Sequence, residues 1–360
     1  MSLKVKSILD EIKREHEEFT IDNKIVKFDE DVYLNEYQIK SIIFTIKKFI
    51  SNCNIDFAKK IFIDIFKEPK NSNGTVYEVL VYSWLIEHGI RFEPQPKIKK
   101  EDCLKENDYN ADGKIDTTIF DVKSFGIGFV HIKTLKEKIQ EKLPNYIITI
   151  GGSYNISYND LNKYAFNKID KIVYELQQSE NKINSTYIYS IPNLDLEIKA
   201  EPKTEIMSTT ISQFNAYEWA KNNEFYFMKN ASQFCTNSPY IIFCPFDNNI
   251  NHIFSNISVD NLDIILRPLC RRIFMNLKSI DNRKVSEYDG KAKKEITVAT
   301  ASKKISAIIF LDVTKEHNYE DCRTWVYVNP NADNPLYNFQ IDQWFRQNGA
   351  FIDDFEYDNY

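Results

Sequence analysis

Two carboxylates and an amine lie close together in the stretch NADGKIDTTIFDVKSF, which covers residues 110–125. Asp121 and Lys123 interrupt an apolar run typical of a β-strand, and alternate residues of a strand share one face. Asp112 lies nine positions before Asp121, so a tight hairpin would bring the two carboxylates side by side. Adjacent carboxylates repel each other unless a cation joins them, and hard oxygen ligands suit Mg²⁺. A neighbouring lysine can orient or deprotonate a water, or stabilise negative charge on a phosphate.

The same acid-x-Lys pattern occurs elsewhere in the chain, where it is typical of a solvated surface. The other copies are Glu11-Ile12-Lys13, Glu197-Ile198-Lys199, Glu201-Pro202-Lys203 and Asp289-Gly290-Lys291. The copy at 197–199 also lies in a strand-like segment, but no acid occurs between Asn181 and Pro192, where its hairpin partner would lie. Asp116 competes with Asp112 as the acid opposite Asp121, but five positions leave little room for a turn. We therefore predict that Asp112 is the partner.

The segment before this hairpin adds a third carboxylate. TVYEVLVYSWLI, residues 75–86, is apolar on nearly every side, which predicts a buried helix. Glu78 is the only ionisable residue in the first three turns of this helix, and burying its charge is costly unless it is paired or bound to a metal. The alternative is a partly exposed Glu78 near the helix start, where the helix dipole favours a negative charge.

Hydrophobic periodicity predicts the elements that position these residues. EPKNSNG, at 68–74, interrupts a mostly helical region. The elements predicted after it are a helix from about Thr75 to His88, a strand over Ile90–Ile98, two short strands carrying Asp112 and Asp121, a helix over 131–143 and a strand over 145–152. This order of helix, three strands, helix and strand predicts an α/β fold with a mixed sheet and helices packed on its faces.

The same patterns predict how the chain is divided. Residues 1–70 are expected to form an N-terminal helical region, and residues 71–152 a core. Residues 153–360 contain further apolar strands and a helix over 259–277, with no clear linker before them. We expect this last part to be added around the core or to form an accessory region.

Together, Glu78, the Ala111-Asp112 pair and Asp121-Val122-Lys123 resemble the motif of the PD-(D/E)XK nuclease superfamily. The predicted element order over residues 72–152 also resembles that family's core. The resemblance implies a restriction-endonuclease-like fold in which Asp112, Asp121 and the Val122 carbonyl hold one or two Mg²⁺ ions, with Mn²⁺ as a substitute. It also implies that Glu78 contributes directly or through water, and that Lys123 assists the attacking water.

Two positions bear on how closely the motif is matched. Ala111 stands where the family usually has a proline, which shapes the backbone and supplies no ligand. Gln95, in FEPQPKI, matches a glutamine sometimes found in the first strand of the family, and a strand-edge role beside two prolines is the alternative.

The reaction implied by the resemblance is in-line hydrolysis of a DNA phosphodiester. We expect a restriction- or defence-type endonuclease in which residues 153–360 serve target recognition, and a homodimer, because cutting both strands needs two active sites. The alternatives are a repair or recombination nuclease acting on junctions or ends, and a catalytically silent nucleic-acid-binding module with the same fold. The candidate DNA contacts are Lys133, Lys136 and Lys138 of the predicted 131–143 helix, Arg267, Arg271 and Arg272, and KAKK at 291–294.

Composition excludes several other classes of protein. A net charge of −6 argues against a protein that coats nucleic acid nonspecifically, although it permits a local basic cleft. The six cysteines are scattered without a C-x-x-C pair, which favours neither disulfides nor zinc. No apolar run approaches the roughly 18 residues of a membrane span, and no phosphate-binding loop indicates a nucleotide cofactor. We therefore expect a cytoplasmic protein.

Overall fold

The structure is a computed structural model that divides into two compact units. The first unit comprises Met1–Phe125, Asn215–Asp247 and Phe254–Tyr360, and the second comprises Gly126–Phe214 and Asn248–Ile253. The residues that the structure describes are 3–21, 34, 36–67, 69–123, 127–152, 158–178, 182–183, 186–194, 196–203, 220–221, 225–246, 262–275, 282–313 and 324–353.

Within the described residues, the helices are α1 (Leu3–Lys13), α2 (Glu36–Ser51), α3 (Ile55–Lys67), α4 (Pro69–Glu87), α5 (Ile127–Lys142), α6 (Tyr158–Tyr164), α7 (Ile169–Leu176), α8 (Asp263–Met275), α9 (Val298–Ser302) and α10 (Asn338–Trp344). The strands are β1 (Glu93–Pro94), β2 (Lys97–Ile98), β3 (Tyr109–Asn110), β4 (Gly113–Ile115), β5 (Thr118–Val122), β6 (Tyr146–Gly152), β7 (Lys182–Ile183), β8 (Thr186–Ile191), β9 (Leu196–Pro202), β10 (Tyr240–Phe246), β11 (Ala307–Asp312), β12 (Thr324–Val328) and β13 (Phe351–Asp353). This mixture of helices and strands confirms the predicted α/β class.

Helices α2, α3 and α4 pack against one another at the start of the first unit. α2 and α3 bury apolar residues at three- and four-residue spacing, among them Ile42, Ile46 and Phe62. α4 also contacts β5 and β10, and its apolar residues are buried on almost every side, as predicted. It begins at Pro69, earlier than predicted, because the first turn of a helix tolerates a residue without an N–H.

The described strands of the first unit form a seven-stranded mixed sheet in the order β1-β4-β5-β10-β11-β12-β13. β5 lies antiparallel to β4 and parallel to β10, with Asp121 opposite Ile242. β10 and β11 are buried along their whole length, and their nearly unbroken apolar sequences are typical of strands covered on both faces. β5 therefore lies next to strands that are buried on both faces, and its pairing with β10 fixes its position.

The second unit contains a separate antiparallel sheet in the order β6-β9-β8-β7. One face of this sheet is buried with residues of α5, α6 and α7; Leu135 and Ile139 of α5 belong to the same core as Ile148 and Ile198 of the strands. Side chains alternate between this core and the exposed face, where Glu197 pairs with Lys199 at 3.0 Å. The unit thus has a hydrophobic core of its own.

The predicted core over residues 71–152 was wrong in its last two elements. α5 and β6, predicted as the closing helix and strand of that core, belong to the second unit, and β6 pairs with β9. The strand beside β5 is β10, which comes from the segment 153–360 that we had treated as an addition. β6 alternates buried and exposed residues, as a one-sided sheet requires, whereas β10 is apolar throughout and suits the centre of a two-sided sheet.

Candidate functional site

The hairpin of β4 and β5 interlocks the two aspartates. The Asp112 backbone N–H donates to Asp121 Oδ1 at 3.0 Å, and the Val122 N–H donates to Asp112 Oδ2 at 2.6 Å. Gly113 faces Phe120 so closely that a Cβ atom would lie 2.1 Å from a ring carbon. The hairpin therefore requires glycine at position 113, beside Asp112.

Asp116, the alternative partner of Asp121, lies in the turn of this hairpin. Asp116 is exposed and has a φ of 50°, a left-handed conformation that a two-residue turn requires. Among Asp112 and Asp116, it is Asp112 that the structure brings to Asp121.

Asp121 is fully buried and accepts hydrogen bonds on both carboxylate oxygens. The second donor is the Tyr240 hydroxyl, which reaches Oδ2 from the adjacent strand β10. Burial, followed by the charge of Asp121, raises the pKa of Tyr240 well above its usual range, so the phenol remains a donor. The buried carboxylate is therefore satisfied by two protein donors.

Lys123 follows β5, two residues after Asp121, and is half-buried. Its backbone N–H donates to the Phe243 carbonyl at 2.7 Å, which continues the pairing with β10. Its Nζ atom donates to Gln233 Oε1 at 2.5 Å. The amine is thus held at the edge of the aspartate pair by a residue 110 positions later in the chain.

Glu78 lies in the third turn of α4 and is half-buried, so a position at the helix start does not explain it. Gln95 Nε2 donates to Glu78 Oε2 at 3.4 Å, and Gln95 Oε1 accepts from the exposed Lys60 of α3. Gln95 has a φ of 49°, a conformation that is strained for a residue other than glycine. Burial raises the pKa of Glu78 to about 7, and the charge of Asp121 adds to the rise against opposing effects of Gln95, Lys123 and Lys60.

Asp112 shares this electrostatic environment. Burial raises its pKa well above the usual range, and the charges of Asp121 and Glu78 raise it further. The positive charge of Lys123 and the Val122 N–H oppose the rise. The neighbouring charges thus disfavour the ionised forms of Glu78 and Asp112, and such a group has affinity for protons or for a cation.

The oxygens of these carboxylates are nevertheless largely engaged with the protein. Among the described residues, no group of three or more His, Cys, Asp and Glu side chains has the arrangement of a metal site. The structure therefore brings together Glu78, Asp112, Asp121 and Lys123 without forming a ready cage of three ligands.

Sequence reasoning missed the residues that surround the four predicted ones. Tyr240 and Gln233 are more than 100 positions from the hairpin, and no local pattern marks them. Tyr82, which donates to the Asp112 carbonyl at 2.5 Å, was treated only as part of an apolar helix. Its spacing of four residues from Glu78 places both side chains on one face of α4, which was the available signal.

Two of the arginines predicted as DNA contacts form ion pairs within the protein. Arg267 lies 2.7 Å from Asp263 and 3.3 Å from Asp353, and Arg271 lies 3.5 Å from Asp353. These pairs join α8 to β13, which gives the two arginines a structural role.

Comparisons with known proteins identify no relative. No protein-family model, no curated protein and no solved structure matches the chain. Within the described ranges, none of the helices has both the length and the apolarity needed to cross a bilayer.

Proposed function

We propose that the protein is a metal-dependent endonuclease that hydrolyses DNA phosphodiester bonds, of the restriction or defence type. The observation that supports this best is the interlocked pair Asp112 and Asp121, flanked by an amine and by a glutamate with a pKa of about 7. Carboxylates with raised pKa values beside a lysine are typical of functional sites, because a purely structural role would favour groups that ionise without opposition.

The chemistry of the donor set fits Mg²⁺, with Mn²⁺ as a substitute. Mg²⁺ binds oxygen ligands and commonly needs only one or two protein carboxylates, completed by water and substrate phosphate, so a cage of three protein ligands is not required. The residues that would hold it are Asp112, Asp121 and the Val122 carbonyl, with Glu78 directly or through water. When bound, the ion would stabilise the negative charge that develops on the phosphate.

The chain's own residues supply positioning and proton exchange. Lys123 presents a charged donor beside the carboxylates, suited to holding a phosphate oxygen or orienting a water. Glu78, with a pKa of about 7, can exchange protons near neutral pH. Hydrogen bonds with Gln95 and Gln233 help to orient these two side chains.

The proposed fold is a restriction-endonuclease-like core in which β10 takes the place that we had predicted for β6. α4 supplies Glu78, β4 and β5 supply the hairpin, and β10 continues the sheet in parallel beside β5. Under this proposal, other parts of the chain serve target recognition and homodimer formation, and the protein acts in the cytoplasm.

Cleavage of plasmid DNA tests the proposal directly. Purified protein with Mg²⁺ should nick or linearise a plasmid, whereas Asp121→Ala and Lys123→Ala should lose activity by at least about 100-fold. Glu197→Ala and Lys199→Ala are matched controls, because they alter the exposed acid-x-Lys triplet of β9 and should leave cleavage unchanged. Cleavage that survives both site substitutions would reject the assignment, and branched and linear substrates compared side by side would separate a repair nuclease.

A catalytically silent nucleic-acid-binding module is the second candidate. It is favoured by one observation, that Asp121 already accepts protein donors on both oxygens and Asp112 on one. Calorimetric titration with Mg²⁺ and Mn²⁺ distinguishes the two proposals. A nuclease should bind the ion with release of protons near pH 7, because the carboxylates with raised pKa values must ionise, and a silent module should bind neither ion.

A further inference from the structure

The side-chain amine of Lys123 has a hydrogen-bond acceptor, Gln233, among the described residues. Its Nζ atom donates to Gln233 Oε1 at 2.5 Å. Gln233 ends a short 3-10 helix, Phe227–Gln233, and its side chain is half-buried. A lysine side chain has four rotatable bonds and loses about 2 kcal/mol of rotamer entropy when it is fixed. An acceptor that is itself immobile therefore determines where the amine points.

The backbone around Gln233 is held by several hydrogen bonds. The Gln233 carbonyl accepts from the Tyr109 hydroxyl, and the preceding Ser232 N–H donates to Asp289 Oδ2 at 2.9 Å. The following residues pair with the segment before β3, with Leu104 N–H donating to the Phe234 carbonyl at 3.0 Å. The backbone of residues 232–234 is thus fixed by hydrogen bonds to other segments of the first unit, which fixes the point from which the Gln233 side chain reaches Lys123.

The chemical type of this acceptor matters as well. An amide oxygen accepts one hydrogen bond without neutralising the ammonium charge, and it leaves two further N–H donors of Lys123 for other partners. It also adds no negative charge that would repel a phosphate. A carboxylate at this position would instead form an ion pair with the amine.

We propose that Gln233 is a positioning residue that aims the Lys123 amine into the site formed by Asp112 and Asp121. This inference rests on the proposed nuclease function. The positive charge of Lys123 lowers the pKa values of Glu78 of α4, Asp112 of the hairpin and the Cys244 thiol of β10, against the larger rise that burial causes in each. The hydrogen bond to Gln233 sets the direction in which the Lys123 amine points.

Three variants test the proposal by Mg²⁺-dependent plasmid cleavage. Gln233→Leu keeps the size but removes the acceptor, and should lower turnover about 10- to 100-fold with little change in the KM for DNA. Gln233→Glu restores an acceptor for the amine but adds a negative charge that repels phosphate, and should therefore recover part of the turnover lost in Gln233→Leu. Asn230→Ala, in the same 3-10 helix, is the control and should behave as wild type.

A purely structural role for Gln233 predicts a different pattern. Gln233→Leu would then lower the urea midpoint of unfolding, and Gln233→Glu would cleave no faster than Gln233→Leu. If Lys123→Ala abolishes cleavage but Gln233→Leu cleaves like wild type, the positioning role is overturned and the nuclease proposal stands.

A second measurement decides the positioning role independently of activity. Lys123 is labelled with an amine-reactive ester, and its rate of acylation is read by mass spectrometry. Gln233→Leu should increase this rate severalfold relative to the wild type and to Asn230→Ala, because the freed amine samples more orientations. If the wild type cleaves no DNA, the nuclease proposal fails, while an unchanged labelling rate would overturn the link between Gln233 and Lys123.

Discussion

The raised pKa of Glu78 predicts a pH-dependent loss of stability that one substitution should remove. Its pKa rises from 4.5, the ordinary value, to about 7 on folding, chiefly through burial. The folded state therefore binds this proton more tightly than the unfolded chain between these pH values. The free energy of unfolding should fall as pH rises from about 4.5 to 7 and remain level above that.

The magnitude follows from the size of the rise. One pH unit corresponds to about 1.4 kcal/mol, so the full change amounts to about 3 kcal/mol as an upper limit. Solvent access to the half-buried side chain reduces this value. Glu78→Gln keeps the shape and the acceptor for Gln95 but has no charge to bury. The variant should match the wild type near pH 4.5 and exceed its stability by about 2–3 kcal/mol at pH 8.

Urea denaturation between pH 4.5 and 8 measures this difference, with a chelator present so that no divalent ion neutralises the carboxylates. Glu93→Gln is the matched control because Glu93 is exposed on β1, so that removing its charge relieves no burial. A difference between Glu78→Gln and wild type that is the same at both ends of the range would refute the claim that folding buries this charge.

Two further substitutions test the geometry around the aspartates by urea denaturation. Tyr240→Phe removes the hydroxyl that donates to the buried Asp121, and should lower the free energy of unfolding by about 1–3 kcal/mol because a carboxylate oxygen loses its partner; unchanged stability would contradict that hydrogen bond. Gly113→Ala places a methyl 2.1 Å from the buried Phe120 ring and should lower the free energy of unfolding by about 3 kcal/mol. Gly290→Ala is the control: no atom lies within 4 Å of the added methyl, and the free energy of unfolding should fall by less than about 0.5 kcal/mol. Equal effects of the two alanines would show that the hairpin tolerates a side chain beside Asp112.

Local features of this protein could be predicted from its sequence because their causes lie within a few residues. The three- and four-residue spacing of apolar side chains predicted α2 and α3, and a segment apolar on nearly every side predicted α4. Apolar runs predicted β10, β11 and β12. The nine-residue separation of Asp112 and Asp121 predicted a hairpin with the two acids side by side. A turn of two residues between short strands leaves the chain few other ways to pair.

Features that depend on contacts between distant parts of the chain could not be predicted from local sequence patterns. β6 and β10 are both strands of seven residues, and local pattern alone did not select the one that pairs with β5. That choice follows from burial on both faces, which depends on packing between segments far apart in sequence. Packing between distant segments also brings Tyr240 and Gln233 to the site. The pKa of Glu78 is raised by burial, which exists once the unit has folded. Spacing along the chain therefore brought Asp112, Asp121 and Lys123 together, and long-range packing supplied Glu78, the hydrogen-bond partners and the low dielectric that set their chemistry.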